Sequence, residues 1–162
     1  MAIELFRIDD RLIHGQVVLG WGQPLQLGFI VLVDDAVAQS AWEQELYRMG
    51  VPSEMEVYFE SVDSFVRRAA EYRERGDSGV VLTGDVATME RVVAGVPGVG
   101  AVNLGGIHHR PGRLARLRYV YLSPAEEAVL RAIAARGVRV TAQDLPSSTA
   151  VPLDELVVES PA

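Results

Sequence analysis

The chain has 162 residues, 49% of them apolar and 23% charged, the balance of a folded globule. Cysteine is absent, which excludes disulfides, thiolate nucleophiles, iron–sulfur clusters and Cys-type zinc sites. All 15 cations are arginine, which excludes a P-loop ATPase, a Schiff-base lysine and a Ser–Lys nucleophile pair. A net charge of −7 argues against general nucleic-acid binding, no apolar run approaches the ~20 residues of a membrane span, and no secretion signal opens the chain, so the cytoplasm is the expected compartment.

In chain order the pattern alternates strand and helix. Ile3 to Ile8 reads as a first strand, followed by a short helix over Gln16 to Trp21. Phe29 to Val33 is a continuous apolar run, as in a strand buried on both faces of a parallel sheet. A helix around Ala38 to Met49 follows, then a strand at Glu56–Phe59. Ser61 caps a helix bearing Val62, Phe65, Val66 and Ala69, ended by Gly76; Gly79–Thr83 is the next strand. Asp85 caps a helix with Val86, Met89, Val92 and Val93 on one face, and Ala101–Leu104 is a fifth strand. Tyr119–Leu122 and Val138–Thr141 complete seven strands, separated by a helix that opens on the capping box Ser123-Pro124-Ala125-Glu126 and stops at Gly137. Residues after Pro146 form the loosest part, with a terminal helical turn at Leu153–Val157. The fold class is therefore α/β, an open and mainly parallel sheet of about seven strands with helices on both faces, in a single domain spanning 1–162. The Arg110–Arg118 segment lacks a helix, so the sixth strand is connected irregularly or runs antiparallel.

Open parallel sheets bind ligands beyond the carboxyl ends of their strands. Polar, acidic and Gly-rich residues gather there: Asp9 to Gly15, Asp34-Asp35, Thr83-Gly84-Asp85 and Gly105 to Arg110, with all three histidines, His14, His108 and His109, among them. The first segment holds two carboxylates (Asp9, Asp10), a guanidinium (Arg11) and an imidazole (His14), followed by Gly15 and Gln16. An imidazole of ordinary pKa is mostly neutral at pH 7 and offers a nucleophilic nitrogen; a carboxylate on its other nitrogen fixes the tautomer. Arg11 can clamp phosphoryl oxygens, Gly15 admits a close approach, and a helix opening at Gly15-Gln16 points N–H groups at an anion. These are the parts of a phosphoryl-transfer site. The alternative is a loop histidine beside an Asp–Arg surface pair. A zinc site from His14, His108, His109 and Asp34 lacks ligand spacing, and no metal is expected. A receiver-type phosphoaspartate at Asp34 lacks its lysine, and neither a dinucleotide-binding GxGxxG nor a GxSxG elbow occurs in a fitting place. Arg91 to Ala125 contains five arginines and no acid, either a cationic face for an anionic partner or a solvated loop.

The stretch Arg7-Ile8-Asp9-Asp10-Arg11-Leu12-Ile13-His14-Gly15-Gln16-Val17 resembles the signature of enzyme IIB of the mannose/fructose/sorbose family of the bacterial phosphotransferase system. Ile30 to Asp35, Asn103-Leu104-Gly105-Gly106 and Ala142 to Pro146 resemble later segments of that family, so the likeness runs nearly full length. The resemblance implies a mainly parallel seven-stranded α/β fold and a protein-N(pi)-phosphohistidine–sugar phosphotransferase without cofactor. It implies that His14 accepts a phosphoryl group from phosphorylated enzyme IIA and passes it to a sugar of the mannose/fructose/sorbose class entering through the membrane components IIC and IID. Asp9 and Arg11 would orient His14 and contact the phosphoryl group, with Asp10, Gly15 and Gln16 around them. Arg7, Asp34, Thr83, Gly84, Gly105, Gly106, His108, Arg110 and Arg113 would form the rim or touch partners. A cytoplasmic protein peripheral to the membrane follows, and a homo-oligomer stays open. The other outcome of the same chemistry is a regulatory phosphocarrier with no sugar acceptor.

Overall fold

A computed structural model describes residues 2–157. Seven strands form one sheet in the order β3-β2-β4-β1-β5-β8-β9, where β1 is Ile3–Ile8, β2 Leu27–Val33, β3 Glu56–Glu60, β4 Ser78–Thr83, β5 Ala101–Leu104, β8 Arg139–Ala142 and β9 Val151–Pro152. Strands β1 to β5 and β8 are parallel; β9 pairs antiparallel with β8 at the edge. Five consecutive residues of β2, Phe29 to Val33, are wholly buried, as their unbroken apolar run predicts. Phe29, Val31 and Val33 face one core, with α2 (Val62–Arg73), α3 (Val86–Gly95), α4 (Pro124–Ala135) and α5 (Leu153–Leu156). Ile30 and Leu32 face the other, with Ile13, Val17 and Val18 and the inner side of α1 (Ala41–Met49). The sheet thus carries helices on both faces.

The caps form as their chemistry dictates. The Ser61, Asp85 and Ser123 side chains accept from the third residue of α2, α3 and α4, and Ser123–Glu126 is a reciprocal capping box. Gly137 stops α4 at φ +87°, the left-handed position that glycine takes without steric cost. Several boundaries differ from expectation. The helix expected over Ala38–Met49 is split: a 3₁₀ turn at Val37–Gln39 ends at Ser40, which caps α1. Helix α2 ends at Arg73, short of Gly76. The turn Gln16–Trp21 is π-helical, with Gly22 N–H bonded to the Val17 carbonyl five residues back.

The sheet has seven strands, but not the seven anticipated. The 119–122 segment forms β7 (Val120–Leu122), which pairs antiparallel with β6 (Leu114–Leu117) in a separate hairpin. Its inner residues Val120 and Leu122 are buried against the helical core, so packing rather than a sheet neighbour fills its apolar face. The seventh place goes to β9, from the tail expected to be loose; Gln143 Nε2 donates to the carbonyls of Pro146 and Ser148 and ties that loop down.

The loop after β1 turns to the face holding the π-helical turn, while the chain after β5 turns to the opposite face, where Ile107 and the hairpin pack. Neighbouring parallel strands whose exits diverge leave a crevice at their carboxyl ends. That crevice lies between Asp9–Gly15 and Gly105–His109.

In β4, Gly79 lies under the Phe29 ring, and a Cβ there would come within 2.2 Å of it. Gly79→Ala should therefore destabilise the protein by about 1–3 kcal/mol, seen as a lower urea midpoint with an unchanged slope; an unaltered midpoint would contradict this packing.

Candidate active site

Asp9, the first residue beyond β1, is wholly buried, and its backbone N–H bonds to the Thr83 carbonyl of β4. Its carboxylate is the hub of the crevice. Oδ1 accepts from Arg11 N and Nε, both at 3.2 Å; Oδ2 accepts from Arg11 Nη2 at 3.3 Å and Arg7 Nη2 at 3.5 Å. His14 Nε2 lies 3.2 Å from Oδ2, at ion-pair distance but off the line of a hydrogen bond. Burial pushes the Asp9 carboxyl up, but the adjacent His14 ring, the hydrogen bonds from Arg11 and the charge of Arg7 outweigh it. Asp9 is held well below the usual carboxylate range. It is ionised.

Arg7 was expected at the rim; instead it is a wholly buried cation on the floor. Nη1 donates to the Asn103 carboxamide and, at 2.9 Å, to the Gln143 carbonyl. Nη2 donates to the Asp144 carbonyl at 3.2 Å, and the guanidinium sits 4.8 Å over the Trp21 ring. Burial lowers its pKa and the charges of Asp9 and Asp144 oppose that, so it keeps its charge. Gly105 and Gly106 are likewise floor, not rim: a Cβ on Gly105 would come within 2.3 Å of Arg7 and 2.7 Å of Asp9, and one on Gly106 within 3.4 Å of Arg11. Thr83 is buried, and Gly84 makes room for Leu12, which adopts φ +59°, strained for a leucine.

Above this floor His14 keeps 17% of its side chain exposed. Its Nε2 is buried against Asp9, while Nδ1 is on the solvent-reachable side of the ring and has no partner among the described residues. Arg11 is 38% exposed, and Nη2 also donates to Gln16 Oε1 at 2.6 Å; Nη1 has no hydrogen bond among the described residues. The site therefore presents one imidazole nitrogen and one guanidinium edge to an incoming group. Gly15 has ordinary helical angles, and a Cβ there would meet open space, so glycine is not needed for the backbone itself. The N–H groups of Val17 and Val18 close on the His14 carbonyl, so these two are not free for an anion.

Other expected residues have other partners. Asp10 points away from His14 and fastens the opposite loop: Oδ2 accepts from His108 N at 2.7 Å and Oδ1 meets His108 Nδ1 at 2.6 Å. Asp34 accepts from the N–H groups of Ala36 and Val37 and shapes its own turn. His109 packs edge-on against Tyr121. Among the described residues no group of three or more His, Asp or Glu side chains could hold a metal ion. Arg113 is not a rim residue: it makes a bidentate pair with Glu126 at 2.7 and 2.8 Å and is 11% exposed. Arg116 is bound to Glu127 and Arg91 to Asp35. The arginine-rich window is thus largely neutralised by acids from other elements; Arg110 and Arg118 stay exposed with no acidic partner among the described residues. Asn103 and Asp144 lie outside the expected site residues because each reaches Arg7 from a remote element; a polar Asn inside an apolar strand is the signal the sequence offers.

The ionised Asp9 supplies a pH signature. Its folded pKa lies below the unfolded value of about 3.9, so its contribution is present above that value and is lost as pH falls toward the folded one. The stability gap between the native protein and Asp9→Asn should hold near pH 5 and narrow below about pH 4. Urea unfolding across pH 2.5–6 measures it, and a gap that does not narrow would contradict the assignment.

Comparison with known proteins gives a consistent result. The family model described as "PTS system sorbose subfamily IIB component" matches residues 3–161. The N-acetylgalactosamine-specific phosphotransferase enzyme IIB component 1 of Escherichia coli (strain K12) is 31% identical over 89% of this chain and 91% of its own length. The mannose-specific EIIAB component of the same strain is 26% identical over 97% of this chain, which spans about half, 49%, of that longer protein. The solved IIBSor domain of the sorbose permease from Klebsiella pneumoniae superposes with a TM-score of 0.86 at 27% identity, covering 96% of each chain.

Proposed function

The chain belongs to the sorbose subfamily of phosphotransferase-system IIB components, subunits of sugar phosphotransferases, and on that premise we propose that His14 is its phosphoryl carrier and that residues 1–162 act as one IIB domain. The observation that carries this reading is the division of the His14 ring: Nε2 turned to an ionised, buried carboxylate that also holds the Arg11 guanidinium, and Nδ1 on the solvent-reachable side. With the proton on Nε2, the Nδ1 lone pair attacks the phosphorus of phosphohistidine on enzyme IIA. The new Nδ1–P bond forms as the IIA nitrogen–phosphorus bond breaks, and its electron pair returns to the IIA ring. Asp9 stabilises the positive charge that develops on the His14 ring. Arg11, already oriented by Asp9, offers Nη1 to the spread phosphoryl charge. In the second half-reaction a sugar hydroxyl attacks phosphorus, the Nδ1–P bond breaks and the hydroxyl proton passes to a base or solvent. The transfer needs no cofactor, because the nitrogen–phosphorus bond supplies the driving force.

The partners in this reading are phosphorylated IIA, the membrane components IIC and IID, and a sugar of the mannose/fructose/sorbose class. No helix among the described residues is long and apolar enough to cross a membrane, so a place at the inner membrane face would come through IIC and IID. With phosphoenolpyruvate, enzyme I, HPr and the cognate IIA, the protein should gain one acid-labile phosphate on His14, detected by mass spectrometry. His14→Ala should abolish it, His108→Ala should retain it, and Arg11→Ala should slow its formation about 10²-fold. An unmodified His14 under the complete relay would overturn the reading.

The exposed Arg110 and Arg118 fit the outer rim of a docking face for an acidic partner. Arg110→Ala combined with Arg118→Ala should slow phosphorylation at low ionic strength and converge on the native rate at high salt. Equal rates at both would assign those charges to solvent alone.

A further inference from the structure

The loop between β8 and β9 takes part in the site without approaching it in sequence. Asp144 is its pivot. Its carbonyl accepts from Arg7 Nη2 at 3.2 Å and from Trp21 Nε1 at 3.0 Å, and its Oδ1 accepts from Gln16 Nε2 at 2.8 Å. Gln16 in turn accepts from Arg11, Arg11 donates to Asp9, and Asp9 accepts from Arg7. The bonds close a ring, Asp9–Arg11–Gln16–Asp144–Arg7, in which the amide of Gln16 uses its oxygen on one neighbour and its nitrogen on the other.

The π-helical turn makes this closure feasible. Gln16 and Trp21 are five residues apart and both bond Asp144. In a regular α-helix residues five apart point about 140° away from each other; the wider i→i+5 turn brings them toward one side. π-Turns concentrate at functional sites. Leu145 packs so closely over Gly20 that a Cβ there would come within 2.5 Å, which seats the loop on the turn.

We propose that Asp144 is a positioning residue for phosphoryl transfer, acting through Gln16 to hold the Arg11 guanidinium with Nη1 left free for the phosphoryl group on His14. This rests on the reading of His14 as phosphoryl carrier. Arg11 has two anchors, Asp9 and Gln16. Asp9 alone fixes Nε and Nη2 on one edge; Gln16 stops rotation away from the ring, and Gln16 is itself oriented by Asp144. Removing the Asp144 carboxylate frees the Gln16 amide to turn, and Arg11 loses its second anchor while keeping its charge and its bond to Asp9. The loss then falls on the transition state more than on docking, because the guanidinium is present but misaligned.

The test compares Asp144→Ala, Asp144→Asn, Gln16→Ala and the Asp144→Ala/Gln16→Ala double variant. Phosphorylation of His14 by phospho-IIA is followed by rapid quench, with thermal melting points measured in parallel. Asp144→Ala should lower kcat about tenfold with KM for phospho-IIA unchanged. Asp144→Asn, which keeps an Oδ1 acceptor, should stay within about twofold of native. The double variant should be no slower than the slower single one, as for residues acting in one chain. A native kcat in Asp144→Ala, an Asn variant as slow as the Ala variant, or losses that multiply would each overturn the proposal.

An independent readout needs no phosphate. The Arg11 Nη2 proton donated to Gln16 Oε1 should be protected from exchange in the native protein and in Asp144→Asn, and lose protection about tenfold in Asp144→Ala. Unchanged protection overturns the ring even if His14 proves not to carry phosphate. Phosphorylated native protein with an unaffected Asp144→Ala variant overturns only the role of Asp144.

Discussion

A buried ion pair, Arg7 with Asp9, sets the geometry on which the crevice depends. Taking a guanidinium and a carboxylate out of water costs several kcal/mol each unless their remaining donors and acceptors find partners. Here most do. Arg7 spends its two terminal nitrogens on Asn103, Asp9 and two carbonyls of the β8–β9 loop and lies over Trp21, leaving Nε as the one orphan. Asp9 accepts from Arg7 and Arg11 and lies 3.2 Å from His14 Nε2. Gly105 is required because the pair lies against its Cα, where a methyl group would collide with both charges.

From this floor the functional groups are built outward, each held by the one beneath. Arg7 fixes Asp9, Asp9 fixes Arg11 and faces the inner nitrogen of His14, and the outer nitrogen is left on the solvent side. The strained Leu12 backbone and the close fit of Leu12 over Gly84 bend the loop so that His14 returns above Asp9 five residues after it. Preorganisation of this kind suits phosphoryl transfer, where positioning and fixed charge do most of the work. It also gives a wholly buried arginine in β1 a use: its charge aligns other groups.

The acidic protein does not carry the broad cationic face that its arginine-rich window suggests. Arg113 and Arg116 staple the β6–β7 hairpin to the first turn of α4 through Glu126 and Glu127, and Arg91 is paired with Asp35. Of that window only Arg110 and Arg118 are exposed without an acidic partner among the described residues, and Arg11 is the half-exposed cation of the crevice. A small cationic centre within a protein of net charge −7 favours an anionic group delivered to one point over adsorption to any polyanion.

Much of the architecture is legible in the sequence because it depends on local physics. Apolar runs mark strands buried on both sides, Ser61, Asp85 and Ser123 mark helix starts, Gly137 marks a stop, and the dense polar motif after β1 marks the crevice. Asp9, Arg11 and His14 lie within six positions, so their meeting costs only a tight loop. Tertiary structure alone decides the rest. The hairpin leaves the sheet because its apolar side finds the helical core, and β9 enters because Gln143 ties its loop. Arg7 becomes floor instead of rim because Asn103 and the Gln143 and Asp144 carbonyls, 96 to 137 residues away, close around it. Contacts of that separation leave no spacing to read: the chain's local preferences place residues on elements, and only the packing of those elements determines which buried charge meets which partner.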